Sequence, residues 1–139
     1  MVLGLLAATA TLLPAASAGA TPGHHLVFNV GGPSRQNLVA TEAVVVNAKC
    51  PTETCKVVAY GSSKSLGVRT AKVHARIKKG THVKMALPLS PGQVANLRTA
   101  LESDRYRKGP LPILTIHATA KDSFGNKIPV SLNIKIAKP

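Results

Sequence analysis

An all-β fold, with two antiparallel sheets packed face to face and one short helix in a crossover, is what the sequence predicts, on three observations. Apolar residues make up 45% of the 139 residues but aromatics only 3%, with no Trp, so the core must be built from Val, Ile, Leu and Ala. Branched aliphatics of this kind fill the pleats of layered strands. Apolar and polar residues alternate with period two over several stretches of strand length, and turn-forming residues separate these stretches at short intervals. The length suits a single domain.

The chain opens on an apolar segment, Val2 to Ala16, that contains no charge and is too short and too rich in Ala to span a bilayer. It reads as the core of a secretory signal peptide, ended by Pro14 and followed by the small-residue cleavage sites Ala16-Ser17-Ala18 and Ala18-Gly19-Ala20. The alternative, a buried N-terminal helix, lacks polar positions to face water. Residues 1–20 are therefore assigned to a signal peptide and residues 21–139 to one β domain, secreted or at the cell surface, with no transmembrane span in the mature protein.

Within the domain, Leu26, Phe28 and Val30 alternate in a first strand that Gly31-Gly32-Pro33 breaks. Residues 41–49, TEAVVVNAK, are β-branched on both faces, as in a central strand. Cys50 and Cys55 bracket a short turn that leads to CKVVAY at 55–60, which predicts a hairpin with a disulfide closed across its mouth. A redox or zinc pair is disfavoured, because the spacing is not C-x-x-C and no second pair exists. After a polar loop from Gly61 to Gly67, Ala71, Val73, Ala75 and Ile77 point inward and Thr70, Lys72, His74 and Arg76 outward. Lys78-Lys79-Gly80 turns the chain into a partner strand with Val83, Met85 and Leu87 inward and His82 and Lys84 outward.

The strand pattern then stops. Ser90-Pro91-Gly92-Gln93 places a capping Ser before a Pro at the first helical position, with a Gln three residues after the Ser. Val94, Leu97 and Leu101 follow at helical spacing, which predicts one amphipathic helix running to about Ser103. A basic loop, Arg105 to Lys108, leads to the last two strands. In these Leu114, Ile116, Ala118 and Ala120 face inward across from Ile128, Val130, Leu132, Ile134 and Ile136, with a turn at Asp122-Ser123-Phe124-Gly125-Asn126. Pro129, on the outer face, marks an edge or an N–H position that faces water.

About seven strands with one helix in a crossover have the size and rhythm of an immunoglobulin-like β-sandwich. The ending ILTIHATAKDSFGNKIPVSLNIKI resembles the last hairpin of bacterial extracellular Ig-like and fibronectin type III-like domains, in which a T-x-T-A-x-D-x-x-G-N run joins the final strands. Asp122, Gly125 and Asn126 fill the recurring turn positions. The resemblance covers about 25 residues. It implies an antiparallel sandwich used outside the cell as a spacer, adhesive or carbohydrate-associated module, and the helix after Ser90 departs from it.

Chemistry is scarce. Of the acids, Glu53 lies in the Cys turn, Asp122 in a hairpin, and Glu102 and Asp104 at a helix end, where their spacing points them apart. No pair flanks a cleft as glycoside hydrolysis requires. The Ser-rich stretch at Gly61 to Ser65 lacks the Gly that must precede the Lys of a phosphate loop, and no nucleophile motif occurs. His24 and His25 are neighbours in a leader, and His74, His82 and His117 fall outward on strands. No catalytic, cofactor or metal site is predicted, and the chain reads as a non-enzymatic interaction or structural module. The remaining signal is charge: 18 Lys and Arg against 5 Asp and Glu give +13. Lys72, His74, Arg76, Lys78, Lys79, His82 and Lys84 fall on one predicted hairpin as a cationic stripe, a candidate polyanion footprint. The partner classes are thus an anionic cell-envelope polymer or another extracellular protein. Sequence-specific nucleic-acid binding is disfavoured, since Phe28, Tyr60, Tyr106 and Phe124 are too scattered for a stacking platform.

Export makes the mature N-terminus fall near Gly19 or Thr21. The intact mass of protein recovered from its native host measures this, and a cell-retained product that keeps residues 1–18 would contradict it.

Overall fold

The computed structural model describes residues 26–139. The predicted signal segment and the leader through His25 lie outside the described residues. Among these residues the apolar alternation gives nine strands: β1 (Asn29–Gly31), β2 (Arg35–Gln36), β3 (Ala43–Lys49), β4 (Cys55–Ser63), β5 (Val68–Arg69), β6 (Val73–Ile77), β7 (His82–Pro88), β8 (Ile113–Lys121) and β9 (Lys127–Ile136). Three short helices, α1 (Leu38–Thr41), α2 (Pro91–Leu101) and α3 (Asp104–Arg107), lie between them.

The strands form two sheets that do not close into a barrel. In the larger, β2, β9, β8 and β4 are neighbours in that order, and β5 and β6 both run along the far side of β4. The smaller has the order β1-β3-β7. Every pairing is antiparallel except that of β2, which lies parallel to the end of β9. Alternation buries one face of each sheet: Val44, Val46 and Leu87 from the smaller and Val57, Leu114, Ile116, Ile134 and Ile136 from the larger join one hydrophobic cluster. Each such side chain contributes roughly 1.5–3 kcal/mol on burial, so this aliphatic core is the main source of stability.

Two expected hairpins do not form. The strand before Cys50 and the strand after Cys55 belong to different sheets, β3 pairing with β1 and β7, and β4 with β8, β5 and β6. Likewise β6 pairs with β4, whereas β7 pairs with β3. In both places the chain turns a corner between layers, because the inward residues on either side of the turn cover opposite faces of the same core. The Cys50–Cys55 disulfide forms as expected, with Cα atoms 6.3 Å apart and both residues buried, but it bridges a change of sheet rather than the mouth of a hairpin.

The two corners are bound to each other. Gly80 donates its N–H to the Cys50 carbonyl at 2.9 Å, and Lys79 N–H donates to Thr54 Oγ1 at 3.1 Å. Gly80 reaches that position with φ +78°, in the left-handed region that favours glycine. Val27 N–H donates to Thr52 Oγ1, so the incoming chain is tied to the same loop.

The helix after Ser90 begins as its sequence predicts: Ser90 Oγ accepts from Gln93 N–H at 3.2 Å, Pro91 occupies the first turn, and Val94, Leu97 and Leu101 are buried. Gln93 does not complete a capping box; its Oε1 accepts from Arg69 N–H instead, which fastens α2 to β5. The loop expected at Gly61 to Gly67 is shorter, since β4 continues through Ser63. Gly61 is needed there, because a Cβ would stand 2.9 Å from Ile116 Cδ1 and 3.0 Å from Leu114 Cδ2. The final hairpin is as predicted, and its turn is organised by Asp122. The Asp122 carboxylate accepts from the N–H groups of Phe124 and Asn126 and from Asn126 Nδ2.

The Cys50→Ser, Cys55→Ser double variant should still fold and lose about 2 kcal/mol, the loop-closure entropy of so short a ring. Leu97→Ala should cost more, about 3 kcal/mol, because Leu97 is fully buried. Urea unfolding of the three proteins would rank them, and the reverse order would place the disulfide above the core.

Candidate anion-binding face

None of the five acidic residues lies on a strand: Glu42 caps α1, Glu53 sits in the Cys turn, Glu102 caps α2, Asp104 begins α3 and Asp122 is in the last turn. Every fully charged strand residue is therefore a cation. Register decides how these cations meet. Lys56 on β4 stands opposite Arg76 on β6 and, on its other side, opposite Lys121 on β8; Lys121 in turn stands opposite Lys127 on β9. Arg76, Lys56, Lys121 and Lys127 thus form an unbroken row across four strands, all exposed. Adjacent strands are about 4.8 Å apart, so the row spans about 14 Å.

The next row up the strands is His74, Val58, Thr119 and Pro129. These are small or apolar groups around one imidazole, and between them and the cations runs an open groove of about 510 Å³, floored by Val58 and Thr119. One row further, Tyr60 stacks on His117 with ring centroids 5.0 Å apart. The Arg69 guanidinium lies 4.6 Å and the Lys72 ammonium 5.7 Å from the Tyr60 centroid, a cation–π arrangement. A second groove of about 350 Å³ crosses this region and shares Val58 and Thr119 with the first. The last row carries Ser62, Thr115 and Asn133, in which Thr115 Oγ1 donates to Asn133 Oδ1 at 2.9 Å. Asp122 lines the opposite flank of the cationic row, where its carboxylate serves the turn.

The residues of the predicted stripe are divided. Lys72, His74 and Arg76 lie on this outer face of the larger sheet, Lys78 and Lys79 on the corner, and His82 and Lys84 on the outer face of the smaller sheet, opposite Lys49 and Asn47. One hairpin does not carry all seven, because β6 and β7 cover the core from opposite sides. The face that does gather charge includes Lys56, Lys121 and Lys127, which the stripe omitted. Lys121 and Lys127 were legible, since a five-residue turn pairs 121 with 127. Lys56 was not, because its neighbours follow from sheet order alone. His74 and His117 share this face while His82 does not, and among the described residues no three His, Cys, Asp or Glu side chains gather as a metal site.

No protein-family model matches the chain, and no curated protein matches it.

Like charges directly opposite on neighbouring strands destabilise a sheet. Lys121→Thr, which removes a central cation and keeps a strand-favouring side chain, should raise stability by about 0.5 kcal/mol. Added sodium chloride should raise the melting temperature of the natural protein more than that of the variant, because there is less repulsion left to screen. Calorimetry at low and high salt measures both effects, and a less stable variant would show that the row carries no repulsion.

Proposed function

We propose that this chain is a secreted, non-catalytic module of the immunoglobulin-like kind that binds an anionic polymer through the outer face of its larger sheet. The row Arg76, Lys56, Lys121 and Lys127 carries this reading. A surface built for solubility alone mixes both signs of charge and avoids single-sign fields. Here one face concentrates positive charge at a cost in stability, which is what a binding surface for anions does. On the opposite outer face Lys49 stands opposite His82 and Lys84 opposite Asn47, so no two Lys or Arg face each other across its strands and it is a weaker cationic surface.

The module reading is supported by two sheets on one core, by the terminal hairpin with Asp122, Gly125 and Asn126 at its turn, and by a disulfide suited to an oxidising compartment. The parallel pairing of β2 and the helix α2 are its departures from a plain antiparallel sandwich. Among the described residues no helix is long and apolar enough to cross a membrane. A non-catalytic role is supported by the acids, which sit in separate loops and caps and leave no pair across either groove.

Binding to heparin-coated and polyglutamate-coated surfaces over a salt series tests the proposal. Affinity should fall steeply with salt, because each neutralised anion releases a counterion. Lys56→Glu, Lys121→Glu should bind at least about tenfold more weakly at matched salt, whereas Lys49→Glu, Lys84→Glu on the other face should retain most of the affinity. Circular dichroism confirms that both variants are folded. Equal weakening by the two pairs would remove this face as the site, and salt-insensitive binding would remove charge as the cause.

A further inference from the structure

We infer that the polymer is an acidic polysaccharide that lies across the strands, with its carboxylate or sulfate groups on the cationic row and its sugar rings over the floor formed by Val58 and Thr119. This rests on the anion-binding reading and adds what the row alone does not decide. A bare polyanion needs only charge. Beside the charge, this face supplies two further things at fixed positions, an apolar floor and a set of neutral hydrogen-bonding groups.

The floor is continuous, because both grooves share Val58 and Thr119, and Pro129 extends it toward β9. Such a surface suits the aliphatic C–H face of a sugar ring. Thr119 within the floor and Ser131 beside it in the second groove add hydroxyl groups that can donate to and accept from ring hydroxyls. All of these stand on strands rather than loops, so the strand spacing of about 4.8 Å fixes the backbone positions that carry the cations before any ligand arrives. Preorganisation of this kind lowers the ordering cost of binding.

A nucleic acid fits less well. Sequence-tolerant binding of single strands depends on aromatic faces on which bases stack. The Tyr60 ring is already engaged by His117, Arg69 and Lys72, and Phe124 stands in the last turn, off the strands that carry the floor. What is left open on the face is aliphatic and hydroxylated.

Isothermal titration at near-physiological salt would compare four probes of matched charge: polygalacturonate, heparin, oligodeoxythymidylate and inorganic polyphosphate. The first supplies carboxylates alone and the second sulfates as well, so the pair identifies which anion the row prefers. At least one polysaccharide should bind about tenfold or more tightly than both oligodeoxythymidylate and polyphosphate. Val58→Ser, which changes no charge, should weaken that polysaccharide about threefold to fivefold, the scale of losing part-buried methyl contact, and leave polyphosphate unaffected. Pro129→Ser, at an exposed position, serves the same purpose if Val58→Ser loses its fold. Polyphosphate or oligodeoxythymidylate binding as tightly as the polysaccharides, or floor variants without effect, would overturn the polysaccharide and leave the anion-binding face standing. Failure of all four probes to bind would overturn both.

Discussion

The change of layer between β3 and β4, which the Cys50–Cys55 disulfide stiffens, is the constraint on which the arrangement of the domain depends. A chain with no Trp and only four Phe and Tyr must close its core by laying one aliphatic sheet on another, so it has to leave one layer and enter the other. Among its changes of layer are the one across the disulfide, from β3 to β4, and the one from β6 to β7. The Cys50 carbonyl accepts the Gly80 N–H, which makes the two crossings one structure. The covalent bond fixes the first crossing and the hydrogen bonds to Lys79 and Gly80 fix the second.

At the opposite side of the core a polar side chain does comparable work without a covalent bond. Gln36, on β2 of the larger sheet, donates from Nε2 to the Val45 carbonyl at 2.8 Å and accepts from Val45 N–H at 2.9 Å. Its amide thus stands in for a neighbouring strand along β3 and links the two layers. A part-buried backbone pair that would otherwise lack a partner is satisfied, which matters because an unpaired buried polar group costs more than a typical hydrogen bond gains.

With the layers joined in this way, the core can carry an outer surface that opposes folding. The row of four cations repels itself, yet the residues directly beneath and between them, Cys55, Val57, Ala120 and Ile77, are buried in the shared cluster. Stability and the concentration of charge are therefore divided between the two faces of the same strands. Period-two alternation makes that division possible, since each residue commits to one face and its neighbour to the other. No acid stands on the strands of the outer face, and the carboxylate that flanks the row, that of Asp122, is held by the hydrogen bonds of the last turn.

The sequence by itself determined the secondary elements that depend on local chemistry. Ser90 and Pro91 start the helix, Asp122 and Asn126 make the last turn, and the aliphatic alternation decides which residues are inward, because all three act within a few residues of chain. It determined the disulfide partners as well, since only two Cys exist. It did not determine that the turns at Cys50 to Cys55 and at Lys78 to Thr81 are corners. A turn between two amphipathic strands looks the same whether its strands pair with each other or cover a core from opposite sides, and only the packing of distant strands distinguishes the two. The cationic face follows from that distinction. Lys56, separated by 65 residues from Lys121, meets it only because β4 and β8 are neighbours, and Arg76 joins them only because β6 left β7 for β4. Charge composition is a property of the chain, but the place where charge converges is a property of sheet order, which long-range burial decides.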